Sequence, residues 1–158
     1  MNTVRRAEKQ DIPGIMRLLV QVNMVHHTIR PDLFNGPATK YTETELEGIL
    51  SDGSRPVFVC VDEENTVLGH CFCVLIQKKA DHILTDIKTL YIDDLCVDEN
   101  RRGRHIGKSL YDYVLSFARQ EGCYNITLNV WAGNESALRF YESMGLRPQK
   151  YGMETILQ

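Results

Sequence analysis

Residues 91–108, YIDDLCVDENRRGRHIGK, have the pattern of an apolar strand that leads through a glycine-bearing loop directly into a helix. The strand is predicted over Lys88–Val97, and apolar residues at spacings of three and four predict a helix from about Arg104 to Gln120. The start of a helix presents unpaired backbone N–H groups and the positive end of the helix dipole. We therefore expect the loop to bind an anion such as a diphosphate.

Basic side chains are concentrated around this loop, at Arg101, Arg102, Arg104 and Lys108. Cations near a helix N-terminus reduce stability unless an anion neutralises them, so the cluster favours a bound ligand. The alternative is a common glycine turn whose basic residues are solvated. The loop lacks the GxGxxG pattern of dinucleotide-binding folds, and no Gly stands where a phosphate-binding P-loop ending at Gly107 requires one.

The hydrophobic periodicity divides the rest of the chain into strands and helices. The predicted elements are a strand at Thr3–Arg6, a helix from Asp11 to about His27, an ordered loop at 28–40, a helix at Thr42–Leu50, hairpin strands at 57–61 and 66–77, a strand at Asn125–Val130, a helix at Asn134–Met144 and a last strand at about Lys150–Leu157. With the central strand and helix, this order predicts an α+β fold, a mixed and mostly antiparallel sheet flanked by helices.

Length and charge limit the classes of protein to which the chain can belong. Its 158 residues predict a single domain, 1–158. Eighteen Lys and Arg against 21 Asp and Glu give a net charge of −3, which argues against nucleic-acid or anionic-membrane binding. The sequence has neither a transmembrane-length apolar run nor a secretory signal, so a cytoplasmic location is expected.

The cysteines predict buried thiols rather than bonded or metal-binding ones. There are five, Cys60, Cys71, Cys73, Cys96 and Cys123, with no CxxC pair. Four of them lie in apolar runs, where a reduced Cys packs as a small hydrophobic residue. Neither a disulfide framework nor a metal site is predicted, since no Cys or His completes a ligand set at the usual spacing.

Two motifs resemble those of the GCN5-related N-acetyltransferases, the GNAT family, which transfer an acetyl group from acetyl-coenzyme A to an amine. Residues 102–107, RGRHIG, are similar to the family's [QR]xxGx[GA] loop, except that His105 replaces a Gly. We expect a negative φ at His105, which would let the loop keep its binding role. Residues 134–146, NESALRFYESMGL, resemble the NxxAxxFYxxxGF pattern, with Leu146 in place of Phe.

The resemblance implies an acetyl-coenzyme A site built from both motifs. In the family the central strand bulges after its carboxylates, its backbone pairs with the pantetheine arm, and the loop holds the diphosphate. The implied coenzyme-binding residues are Leu95, Cys96, Val97, Arg102, Gly103, Arg104, His105, Ile106, Gly107, Lys108, Asn134 and Ala137. Tyr141 would lie beside the thioester sulfur and protonate the leaving thiolate, whereas for Phe140 we expect helix packing alone.

The adjacent carboxylates Asp93 and Asp94 interrupt the central strand, and by strand periodicity they are predicted to point to opposite faces. A carboxylate there can accept a proton from a substrate ammonium, whereas the alternative is an ion-paired strand edge. The run resembles that of diamine (spermidine/spermine) acetyltransferases. By that resemblance Asp93 is the predicted base and Asp94 binds the cationic substrate.

The predicted function is N-acetyl transfer to a small cationic amine by direct attack in a ternary complex. His27 and Phe34 are predicted to line the acceptor pocket, with surface capping as the alternative. Cys96 as an acyl-carrying nucleophile is disfavoured, because no His lies near it in the sequence to activate it. A protein or peptide acceptor and a non-catalytic acyl-coenzyme A sensor remain open, as does a homodimer.

Overall fold

The computed structural model describes residues 1–158 and contains one five-stranded sheet in the order β1-β2-β3-β4-β5. The strands are β1 Thr3–Arg6, β2 Val57–Val61, β3 Val67–Gln77, β4 Lys88–Val97 and β5 Asn125–Leu128, and the helices are α1 Ile12–Ile29, α2 Glu43–Leu50, α3 Ile106–Gln120 and α4 Glu135–Ser143. The first four strands are antiparallel, and β4 pairs with β5 in parallel. The predicted mixed, mostly antiparallel α+β fold is confirmed.

The sheet has an apolar cluster on each face. On one face α1 and α2 contribute Ile15, Leu18 and Leu46, and on the other α3 contributes Leu110 and Val114. All residues of β2 are buried, because helices cover both of its faces. The cysteines complete this core: all are unbonded, and all but Cys123 are buried, as predicted.

The helix ends follow from local sequence chemistry. At the start of α2, Thr42 Oγ1 accepts the N–H of Glu45 at 3.1 Å, while the Glu45 carboxylate accepts the N–H of Thr42 at 3.0 Å. After α4, Gly145 adopts a φ of +95°, which ends the helix without a Cβ penalty. The predicted helix bounds are confirmed to within two residues. None of the helices is long and apolar enough to cross a membrane.

The predicted last strand at 150–157 is wrong. No backbone group after Leu146 forms a hydrogen bond, and every residue from Arg147 to Gln158 is exposed. The alternation that suggested a strand is present, but the segment pairs with no strand of the sheet. The strand predicted at Asn125–Val130 is also shorter, because β5 ends at Leu128.

A glycine sets the closest approach of α3 to the sheet. A Cβ on Gly69 of β3 would lie 3.0 Å from the carbonyl oxygen of Cys96 and 3.0 Å from Leu110 Cδ1. The carbonyl belongs to β4 and cannot move without disturbing the strand pairing. The small residue at this position therefore keeps α3, and the loop before it, close to β4.

We predict that Gly69→Ala lowers the free energy of unfolding by about 1–3 kcal/mol, the usual effect of overpacking. Gly48→Ala is the matched control, because nothing lies within 4 Å of a Cβ there. In helix α2 that change should stabilise by about 0.5–1 kcal/mol. Chemical denaturation measures both variants, and a Gly69→Ala protein as stable as the parent would contradict the packing argument.

Candidate active site

The loop before α3 presents a row of unpaired backbone donors. The N–H groups of residues 103–108 donate to no group of the chain, and the first hydrogen bond of the helix runs from the N–H of Ser109 to the carbonyl of His105 at 3.0 Å. These donors and the helix dipole together favour an anion at this position. The loop therefore has the donors that a bound diphosphate requires.

Asp98 anchors the start of this loop to α1. Its carboxylate accepts hydrogen bonds from Arg17 Nη1 at 2.7 Å and from the N–H of Asn100 at 3.1 Å. Burial acts to raise the pKa of Asp98, but these hydrogen bonds outweigh it and hold the pKa below its ordinary value. Sequence analysis missed this residue, because its partner Arg17 lies on a helix distant in sequence.

His105 occupies the left-handed region of backbone space, with φ +58° and ψ +22°. The expectation of a negative φ is therefore wrong: the chain reverses sharply between Gly103, at φ +81°, and the first turn of α3, and this turn needs the conformation that a Gly would supply. His is among the side chains that adopt it more readily than most. The conformation still costs roughly 1–2 kcal/mol in a residue with a Cβ.

The basic side chains around the loop differ in their partners. Lys108 pairs with Asp112, one turn along α3, at 2.6 Å. No ion pair of the chain involves Arg101, Arg102 or Arg104. The guanidinium groups are therefore the charges available to an anion at the loop.

The strand β4 is paired over different lengths on its two sides. It pairs with β3 from Lys88 to Val97, but with β5 only from Thr89 to Ile92. The backbone of Leu95–Val97 consequently has no strand on the side that faces away from β3. Such an edge can bind an extended ligand through main-chain hydrogen bonds. This is where the resemblance implies that the pantetheine arm binds.

A bulge lies within the acidic pair. Ile92 is opposite Cys73 and Asp94 is opposite Phe72, so Asp93 is an extra residue with no cross-strand partner. The expectation that Asp93 and Asp94 point to opposite faces is wrong, because both carboxylates bond to groups that pack around Phe72. The resemblance implied a bulge after the two carboxylates, but the bulge lies at Asp93 itself.

The negative charge of Asp93 is balanced by an ion pair with a lysine. Its Oδ2 accepts hydrogen bonds from Lys40 Nζ at 2.7 Å and from the Tyr41 hydroxyl at 3.1 Å, and the Tyr41 ring stacks on Phe72. Burial acts to lower the pKa of Lys40, but the bond and charge of Asp93 outweigh it and raise the pKa. Lys40 therefore stays charged beside Asp93.

Asp94 is held by a buried histidine of β3. His70 Nε2 lies 2.7 Å from Asp94 Oδ2, the His70 side chain is fully buried, and its Nδ1 has no partner. A doubly protonated ring would bury an N–H without an acceptor, so the geometry fits the tautomer that donates from Nε2. Sequence analysis missed His70, although a lone titratable residue in an otherwise apolar strand is a detectable signal.

Tyr141 lies on α4, and most of its ring is buried near Cys71 of β3 and Asp94 of β4. Burial raises the pKa of its hydroxyl, and the nearby Cys71 and Asp94 raise it further. The hydroxyl therefore keeps its proton across the physiological range, and it makes no hydrogen bond within the chain. Tyr141 is thus a proton donor that no residue of the chain engages, close enough to Asp94 for the charge of that carboxylate to act on it.

Cys96 is poorly suited to nucleophilic catalysis. Burial raises the pKa of its thiol to about 12, and the charge of Asp94 acts in the same direction. The thiol lies 3.6 Å from the carbonyl oxygen of Leu18 in the core under α1. The chemistry of this site therefore favours direct transfer, because a thiol that stays protonated is a weak nucleophile.

The rings of His26, Phe34 and Trp131 pack together into an aromatic wall. Phe34 packs between His26, with ring centroids 5.0 Å apart, and Trp131, at 5.5 Å. Burial lowers the pKa of His26, although the charge of Asp94 acts in the opposite sense. Of the two residues predicted for the acceptor pocket, Phe34 lies in this wall, whereas His27 Nδ1 bonds to the carbonyl of Phe34 at 2.6 Å and holds the loop. Sequence analysis did not identify Trp131, the only tryptophan.

The second motif positions α4 against α3. Asn134 caps α4, its Oδ1 accepting the N–H of Ala137 at 3.2 Å. A Cβ on Gly107 would lie 3.2 Å from the Phe140 ring. Phe140 packs in the core, as predicted, and the two motifs meet at the contact between Gly107 and Phe140.

Residues 22–146 match the family model described as the acetyltransferase (GNAT) family. The matched range contains the donor loop, the bulged strand and all of α4. One family model thus includes both sequence motifs.

Curated relatives of this chain include N-acetyltransferases of plants and animals. Glucosamine 6-phosphate N-acetyltransferase of Arabidopsis thaliana is 30% identical over 106 residues, covering 66% of this chain and 67% of that protein. Human N-acetyltransferase 8B is 27% identical over 123 residues, covering 70% of this chain and 50% of that protein. Both names give N-acetyl transfer as the reaction, and only the first names an acceptor.

A solved structure of similar sequence has the same architecture throughout. The BH1408 protein of Bacillus halodurans, in a tetramutant form, is 34% identical, with a TM-score of 0.93 over 98% of this chain and 99% of that chain. The Arabidopsis thaliana glucosamine-6-phosphate N-acetyltransferase structure has a TM-score of 0.73 at 21% identity, a likeness of fold alone.

We predict that His105→Gly raises the free energy of unfolding, because Gly removes the strain of a left-handed φ, by about 0.5–1 kcal/mol. His105→Ala is the control: it removes the imidazole but keeps the strain, so it should not stabilise. Denaturant titration of the three proteins measures the difference. Equal stability of the Gly and Ala variants would contradict the strained conformation.

Proposed function

This chain belongs to the GNAT acetyltransferase family and is an acetyl-coenzyme A-dependent N-acetyltransferase, and we propose that it acetylates a small cationic amine by direct attack in a ternary complex. The proposal rests on the environment of Asp94. Its carboxylate lies beside Tyr141 and the open edge of β4, and it is paired with a histidine rather than with a cation.

Acetyl-coenzyme A supplies the activated acetyl group of the reaction. The unpaired N–H groups of residues 103–108 and the side chains of Arg102 and Arg104 would hold its diphosphate. The free backbone edge of Leu95–Val97 would bind its pantetheine arm. Asn134 and Ala137 form the cap of α4 and would lie next to that arm.

Asp94 is the better candidate for the base, which exchanges the roles expected for the two carboxylates. Asp93 already accepts from the Lys40 ammonium and from Tyr41, so its charge is balanced. Asp94 is oriented by His70 through one oxygen and can accept the substrate proton directly or through water. Asp93, with Lys40, would shape the pocket beside it.

Tyr141 is the proposed acid. Its hydroxyl remains protonated because burial and neighbouring groups raise its pKa, and it is not committed to another residue. It would donate its proton, or a hydrogen bond, to the leaving thiolate. The alkylammonium acceptor would lie against the wall of His26, Phe34 and Trp131, where aromatic faces attract cations.

A coenzyme-release assay over a panel of amines tests the acceptor class. The panel consists of polyamines, an amino sugar 6-phosphate and a lysine peptide, and the proposal predicts the highest kcat/KM for the polyamines. A preference for the sugar phosphate or the peptide would overturn the acceptor class. Tight coenzyme binding in calorimetry with no turnover on any amine would instead indicate an acyl-coenzyme A sensor.

We predict that Tyr141→Phe lowers kcat about 100-fold, the range of a lost general acid. Coenzyme affinity measured by calorimetry should stay within about threefold, because the ring remains. Since the pKa of Tyr141 is raised, its loss should leave the shape of the pH–rate profile below about pH 9 unchanged. Unchanged turnover would remove Tyr141 from the chemistry.

The isosteric variants Asp94→Asn and Asp93→Asn separate the roles of the two carboxylates. Asp94→Asn should lower kcat about 100-fold. Its residual rate should rise with pH, because only acceptor that is already deprotonated in solution can react. Asp93→Asn is the matched control and should lower kcat by less than about tenfold. A larger loss in Asp93→Asn would restore Asp93 as the base.

A further inference from the structure

Asp93 and Tyr41 together surround an ammonium group, and that group belongs to the chain itself. Lys40 Nζ lies 2.7 Å from Asp93 Oδ2 and 5.5 Å from the centre of the Tyr41 ring. A carboxylate and an aromatic face are the partners that bind ammonium groups well in proteins. The lysine therefore shows which chemical group this subsite accepts.

The subsite does not depend on the lysine for its shape. The Tyr41 hydroxyl donates to Asp93 Oδ2 at 3.1 Å, and the Tyr41 ring stacks on Phe72 with the ring centroids 5.7 Å apart. Phe72 is itself buried in the core under α1. These contacts hold the carboxylate and the ring together, so both remain in place when Lys40 leaves.

Lys40 is held loosely enough to leave. Its side chain is 48% exposed, and its only hydrogen bond and ion pair are with Asp93. An ion pair that is open to water contributes little, because solvent screens it and the long side chain loses conformational freedom. A competing ammonium can therefore displace Lys40, whose flexible stem lets the charge move into solvent.

The subsite lies next to the proposed base. Asp94 follows Asp93 in β4, and the partners of both carboxylates pack against Phe72. The charges of Asp94 and Lys40 also act on the pKa of His26, in opposite senses, so this ring of the aromatic wall lies near both. An acceptor whose amine reaches Asp94 thus has a second carboxylate within reach of a short chain.

We propose that Lys40 sets the selectivity of the acceptor site: its ammonium occupies the subsite at Asp93, and a second ammonium of the acceptor binds there only by displacing it. A monoamine leaves Lys40 in place and gains nothing from Asp93. A diamine gains a second ion pair but must break that of the lysine. This inference rests on the proposed function, because it takes Asp94 as the group that receives the reacting amine.

Lys40→Met tests the displacement, because Met keeps a long side chain and removes both the charge and the donors. The probes are diaminobutane and butylamine, which share one carbon chain and differ in the second nitrogen. Calorimetry on the protein with coenzyme A, which carries no acetyl group, gives the Kd of each amine without turnover. Arg55→Met is the matched control: Arg55 Nη2 lies 3.4 Å from the Tyr41 hydroxyl, but Arg55 does not pair with Asp93.

The readout is the Kd of butylamine divided by the Kd of diaminobutane. This ratio should rise at least about fivefold in Lys40→Met, the upper range of a partly exposed ion pair. It should stay within about twofold of the parent in Arg55→Met, because a general change of charge is screened by salt. Adding Asp93→Asn to Lys40→Met should return the ratio to the parental value.

Three results would overturn the proposal: an unchanged ratio in Lys40→Met, a gain that persists when Asp93→Asn is added, or an equal gain in Arg55→Met. Turnover distinguishes this failure from failure of the proposed function. A parent protein that acetylates amines while the ratio is unchanged in Lys40→Met contradicts the role of Lys40 alone. Absence of turnover on every amine overturns the proposed function and this inference with it.

Discussion

The early end of β5 is the constraint on which the site depends. Because β5 stops at Leu128, opposite Ile92, the residues of β4 that follow have a paired side and a free side. The start of α3 lies next to this stretch, since a Cβ on Gly107 would lie 3.5 Å from Val97 Cγ2. A β5 two residues longer would start to close this edge and remove the place where a donor could bind.

The bulge at Asp93 determines where the two carboxylates of the site lie. Without it, strand periodicity would put Asp93 and Asp94 on opposite faces. With it, both carboxylates lie on the face covered by α1, one balanced by Lys40 and the other held by His70. Although the net charge is only −3, the charges of the site are separated, with unpaired guanidinium groups at the loop and carboxylates at the bulge.

The predictable parts of the molecule are those set by local chemistry. The periodicity of residues 106–120 and the cap at Thr42 predict α3 and α2 without reference to the rest of the chain. The loop donors follow for the same reason, since they are a property of any helix start. What the sequence could not show depends on contacts between distant residues. The pairing of His70 with Asp94 needs the β3–β4 register, and the missing last strand needs a partner that no local pattern reveals.

The most direct measurement is a crystal structure of the protein with coenzyme A. We predict the pantetheine amides within hydrogen-bonding distance of the backbone of Leu95–Val97, the diphosphate on the N–H groups of residues 103–108 and the sulfur beside the Tyr141 hydroxyl. A coenzyme bound on any other surface, with the β4 edge still free, would contradict it.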